Sequence, residues 1–178
     1  MEQRPVEAGG QVAAGTPAFG FLTTVESAAH GVFGGYLLVD PWGRPLEFHC
    51  TAPVKVSRAQ QILYGATLAP HLHGQQIGAT LLAEGGVVPQ VVLTDLESML
   101  HVRGHTNLPV ALVGGPPGPP ESTAGGVFVA GAVTVSPHER DADRRDEMRG
   151  AIEELAASVD LREPFERIRA AIDEAQRH

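Results

Sequence analysis

Between two runs of aromatic and branched residues stands Asp40-Pro41-Trp42-Gly43-Arg44, and this short stretch constrains the fold more than any other. Proline presets φ for the second position of a turn, aspartate accepts from the turn backbone, and glycine tolerates positive φ. The spacing therefore predicts a β-hairpin. Its incoming strand is Phe33 to Val39, and its return strand is Leu46-Glu47-Phe48-His49-Cys50-Thr51. The return strand alternates, with Leu46, Phe48 and Cys50 expected on one face and Glu47, His49 and Thr51 on the other. Pro53 is expected to end the pairing.

The pattern extends on both sides. Phe21 to Glu26 reads as a preceding strand. Ser57-Arg58-Ala59-Gln60 has the form of a capping box and opens a helix with Ala59, Ile62, Leu63 and Ala66 at helical spacing, which Pro70 should interrupt. A second helical stretch is expected over about Leu72–Ala83, although Gly74 and Gly78 lower its propensity. Val91–Thr94 and Val110–Val113 are short apolar runs suited to buried strands, with Asp95 expected to cap a short helix between them. Strand, helix, strand implies a parallel βαβ unit appended to the hairpin. Val127–Val135 reads as one last strand. The fold class is thus α/β of the α+β kind, with a mixed, mainly antiparallel sheet.

Composition divides the chain into three parts. Residues 1–18 are rich in Gly, Ala, Gln and Pro and read as a flexible leader. Residues 19–135 form the α/β domain, with a Gly/Pro loop over 114–126 that can form neither helix nor inner strand. Residues 136–178 are charged, with eight arginines against twelve acidic residues. Met148, Ile152, Leu155 and Val159 form one helical stripe there, and Phe165, Ile168 and Ile172 another. The tail is predicted to be a helical hairpin that docks or self-associates, these seven residues forming the interface with the other half of the hairpin, the outside of the sheet or a second copy of the chain, in a two-fold dimer if the last holds.

Several function classes are disfavoured. A single cysteine, Cys50, permits neither an internal disulfide nor a Cys-x-x-Cys metal site, which favours the cytoplasm. Met1–Gly10 lacks a basic segment followed by an apolar core, so no secretory signal is predicted, and no apolar run is long enough for a membrane-spanning helix. Thirteen basic against 21 acidic residues give a net charge of −8, which disfavours nucleic acid and makes a protein, or a second copy, the expected partner. No phosphate loop, dinucleotide fingerprint or Gly-x-Ser-x-Gly elbow is present.

Two groupings could carry chemistry. His71 and His73 would project to one side of an extended segment, and His101 and His105 to one side of a helix, offering ligands that zinc accepts. Glu26, Asp40, Glu47 and Asp95 each stand at or near a strand end. Three antiparallel strands followed by helix, strand, helix, strand is an order similar to the ribonuclease-H-like fold, in which carboxylates at strand ends bind divalent metal for phosphoryl chemistry. The resemblance implies a divalent metal, which the residues by themselves do not require. Each carboxylate also has a sufficient local duty: Asp40 in the turn, Asp95 as a cap, Glu47 on the solvent face, Glu26 at a strand end. On that ground a non-enzymatic interaction or regulatory role leads, ahead of a divalent-metal-dependent hydrolase and a small-ligand-binding domain.

Overall fold

A computed structural model describes residues 15–117 and 126–177. The leader expected over residues 1–18 lies mostly outside them, as does most of the Gly/Pro loop expected over 114–126. Seven strands form one mixed sheet in the order β3-β2-β1-β4-β5-β7-β6. β1 (Phe19–Ser27), β2 (Gly31–Val39) and β3 (Pro45–Cys50) make an antiparallel meander. β4 (Val92–Thr94) pairs parallel with β1 and with β5 (Val110–Val113). β6 (Phe128–Ala130) and β7 (Val133–Pro137) form an antiparallel hairpin joined to β5 through β7. The single strand expected over 127–135 is two, because Gly131 takes φ +61° and turns the chain.

The predicted Asp40 turn is present in detail. Gly43 has φ +83°, its N–H donates to the Asp40 carbonyl at 3.0 Å, and the Asp40 carboxylate accepts from the N–H groups of Trp42 and Arg44, both at 2.9 Å. The register shifts between Leu38 and Val39 where they meet β3. That irregularity breaks the simple alternation: Phe48 and Cys50 pack against one core, but Leu46 joins the other. Pairing also outlasts Pro53, since Val54 exchanges backbone hydrogen bonds with Val32.

The capping box opens α1 (Arg58–Tyr64) as expected, with Ser57 Oγ accepting from Gln60 N at 3.1 Å. Its stripe does not become core: α1 buries no residue, and Ile62 and Leu63 are exposed. Pro70 does not interrupt the helical path. It closes the one-turn α2 (Leu68–Pro70), after a 3-10 turn has changed the pitch, and a π-helical segment His71–Gly78 leads directly into α3 (Ala79–Glu84). Gly74 and Gly78 are needed there rather than merely tolerated. An added Cβ at Gly74 would stand 2.8 Å from His101 Cβ and 2.9 Å from Val102 N, and one at Gly78 2.8 Å from Met99 Sδ. They let this segment lie directly on the 3-10 helix Glu97–His105.

Two cores flank the sheet. One packs Leu22, Leu38, Val92 and Val110 against Leu72, Ile77, Leu81, Met99 and Val102. The other packs Phe21, Leu37, Leu93 and Val135 against α4 (Arg145–Ala156) and α5 (Glu163–Gln176). Met148, Ile152, Leu155, Val159, Phe165, Ile168 and Ile172 are all buried in this second core. The predicted stripes are real, and of the surfaces expected to cover them it is this chain's own sheet that does so. Asp141, fully buried, ties the segment before α4 to the sheet by accepting from Arg103 Nε and from Val110 N, each at 3.1 Å. Among the described residues no helix is long and apolar enough to cross a membrane.

Candidate functional site

From β1 the chain runs outward through β2 and β3; from β4 it runs the other way through β5. The order therefore reverses between β1 and β4, and open α/β sheets bind ligands in the crevice beyond the carboxyl ends of strands at such a point. Parallel pairing of Leu22 with Thr94 brings Thr23 and Asp95 side by side there. Since Leu93 belongs to the core under α5, two residues on, Asp95 points to the same side.

Asp95 does not cap the following helix. The Thr94 hydroxyl accepts from Leu96 N at 3.2 Å, leaving the Asp95 carboxylate free to turn toward the crevice. Its Oδ1 accepts from the buried Thr23 hydroxyl at 2.6 Å, and its Oδ2 is met by Nη2 of Arg169 on α5. A cleft of about 390 Å³ opens beside this pair, lined also by Gly114, Gly115, Arg162 and Glu166. The Arg162 guanidinium lies 3.4 Å from the place a Cβ at Gly115 would take, so glycine leaves it room. Two guanidiniums and two carboxylates thus share one cleft. Guanidinium offers planar paired donors matched to phosphate or carboxylate oxygens.

The predicted site residues are dispersed. Asp40 lies at the opposite end of the sheet, since Val39 pairs with Phe19 at the start of β1. Glu47 accepts from the N–H groups of Gly86 at 3.1 Å and Val87 at 2.7 Å, and its Oε1 is 3.1 Å from His49 Nε2. Burial pushes the Glu47 carboxyl up, but these partners outweigh it and hold it below its usual value. Glu26 is at the exposed end of β1, on the face opposite Asp95.

The histidines are divided as well. His71 and His73 sit on a helix, where a spacing of two separates them. His71 contacts Gln75 and stacks on Tyr64, whereas His73 Nδ1 is 2.6 Å from Ser98 Oγ. His101 and His105 are exposed on the 3-10 helix, which does reach His105. Among the described residues, no three His, Cys, Asp or Glu side chains gather so as to hold a metal ion. The divalent metal implied by the fold resemblance does not fit this donor set: of the cleft's carboxylates, Asp95 is already engaged by a hydroxyl and a guanidinium, leaving Glu166 as the second. Sequence reasoning passed over Thr23, Arg162, Glu166 and Arg169, since only strand pairing and α5 docking bring them to Asp95.

No family model matches the sequence, and no curated protein does. Among solved structures, human ENDOV is similar with a TM-score of 0.51 at 13% identity, over 92% of this chain and 87% of that one. The catalytic domain of human Endonuclease V follows at a TM-score of 0.47 and 13% identity, over 92% and 85%. Endonuclease V of Ciona intestinalis, in complex with a 23mer DNA containing an inosine followed by a ribo-adenosine, has a TM-score of 0.47 at 12% identity, over 91% and 88%. The fold and the cleft correct two expectations. The non-enzymatic role rests on every carboxylate having a local duty, yet the fold resembles that of an endonuclease, and Asp95 is released from its capping duty into a cleft. Net charge argues against nucleic acid, yet that balance is global: in the cleft Arg162 and Arg169 stand with Asp95 and Glu166, so the excess of acidic residues does not extend to it. This chain is a mixed-sheet α/β protein whose fold resembles Endonuclease V.

Proposed function

We propose that this protein is a nuclease-like hydrolase acting on a phosphodiester of a nucleic acid, with the cleft beyond β1, β4 and β5 as its site. The observation that carries the reading is the placement of Arg162 and Arg169 beside Asp95 at the switch point of an Endonuclease V-like sheet. The guanidiniums supply donors for the non-bridging phosphate oxygens and offset charge as phosphorus is attacked. Asp95 and Glu166 are the groups within the cleft that can take a proton from an attacking water and return one to the departing oxygen.

The test uses end-labelled oligonucleotides, single- and double-stranded, including one with a single inosine. Each is incubated with the full chain in magnesium, manganese or EDTA, and binding is followed by fluorescence anisotropy across a salt series. Binding should weaken with salt, and Arg162→Ala with Arg169→Ala should lower the magnitude of the salt slope by about 2. Asp95→Asn should keep binding and lose cleavage. Absence of binding at low salt, or binding indifferent to both arginines, would refute the proposal.

A further inference from the structure

On the opposite face of the sheet lies a groove of about 650 Å³, between the β1–β2 turn, the strand-like segment at Val54 and the helical path through Leu68 and Leu72. Its wall is mostly apolar, formed by Val32, Val54, Val56, Leu68 and Leu72, with Ser27 and Gln61 as the neutral polar side chains. At one end stand Glu26 and His73, and no lysine or arginine lines it. His73 is fixed from behind: Nδ1 is 2.6 Å from Ser98 Oγ, which leaves Nε2 as the second ring nitrogen. Burial pushes the imidazole below its usual value, against the pull of Glu26, which favours the neutral ring. In the tautomer that donates Nδ1–H to Ser98, Nε2 is an acceptor, and a carboxylate such as that of Glu26 offers acceptors only.

The chemistry of the groove is therefore complementary to one kind of small molecule. An apolar wall fits a hydrocarbon body, and a carboxylate beside a neutral imidazole fits a donor-only cationic head. We infer that this groove binds a small primary amine carrying an alkyl or aryl body, its ammonium between Glu26 and His73 and its body against Val54, Val56 and Leu72. This site shares no lining residue with the nucleic-acid cleft and stands or falls apart from it.

Calorimetric titration of the full chain with n-hexylamine, n-hexanol and hexanoate at pH 7 tests the assignment. Hexylamine should bind with a stoichiometry of one and a dissociation constant in the millimolar range or below, about −4 kcal/mol for 1 mM. Hexanoate should bind at least about tenfold more weakly, because its carboxylate meets Glu26. Glu26→Gln should weaken hexylamine by about threefold to tenfold with the melting temperature unchanged, as befits an exposed charge pair. Ala69→Trp, at an exposed groove residue, should block both amine and alcohol. Equal affinity for amine and carboxylate, indifference to Glu26→Gln in a folded variant, or no saturable hexylamine binding would each overturn the inference.

Discussion

Adding one methyl group at Gly74 tests whether the contact between the π-helical segment and the 3-10 helix is as tight as its geometry indicates. Alanine is favoured over glycine within a helix by about 1 kcal/mol, so propensity alone makes Gly74→Ala stabilising. Against this, the new Cβ meets His101 Cβ at 2.8 Å and two backbone atoms, His101 C and Val102 N, at 2.9 Å. Backbone cannot rotate aside as a side chain does, so two packed segments must separate, at an overpacking cost of about 1–3 kcal/mol. The cost wins: the middle of that range less the propensity gain leaves a net loss of about 1 kcal/mol, which lowers Tm by roughly 2–4 °C for a chain of this size. Gly150→Ala is the matched control. It lies in α4, exposed, with nothing within 4 Å of the added atom, so propensity acts alone and Tm should rise by about 2–4 °C. Thermal melts followed by far-UV circular dichroism read both. A Gly74→Ala variant as stable as the parent would refute the close-approach argument, whatever Gly150→Ala does.

Asp141→Ala removes the partner of a nearly buried guanidinium and of the Val110 N–H together, and should cost about 3–5 kcal/mol in urea unfolding; a loss under about 1 kcal/mol would show the pair to be dispensable. Glu47 is held below its usual value in the folded chain, so its contribution is present above the unfolded pKa of about 4.3 and is lost as pH falls through the lower folded value. Glu47→Gln should therefore flatten the acid limb of stability between about pH 5 and pH 3, and an unchanged limb would count against the Gly86–Val87 clamp.

What could be read from the sequence follows the range of each interaction. The Asp40 turn and the Ser57 capping box were legible because all their partners lie within four residues. The stripes of α4 and α5 were legible as helices, since periodicity is local, but periodicity does not say what covers a face. Leu37 and Phe21 do, from more than a hundred residues away. The same limit hid the site. Asp95 followed by Leu96 has the look of a helix cap, and nothing nearby shows that the Leu96 N–H turns to the Thr94 hydroxyl and that Thr23 and Arg169 claim the carboxylate. Gly74 and Gly78 were weighed as propensity, whereas their value lies in the segment that packs on them. At Gly131 the turn has no proline or aspartate to announce it, and two short strands read as one.

The covering of β1 and β2 by α5 has a consequence for the order in which the molecule comes together. Phe21 and Phe165 meet edge to face at 5.3 Å, so the first strand is closed over by the last helix. The β1–β2 hairpin has its two halves adjacent in sequence and can form within microseconds, long before α5 exists on a growing chain. Until α5 has formed and docked, the face bearing Phe21 and Leu37 stays open to water and to other chains. The interval before α5 docks, rather than formation of the sheet, is then when this fold is most exposed to aggregation.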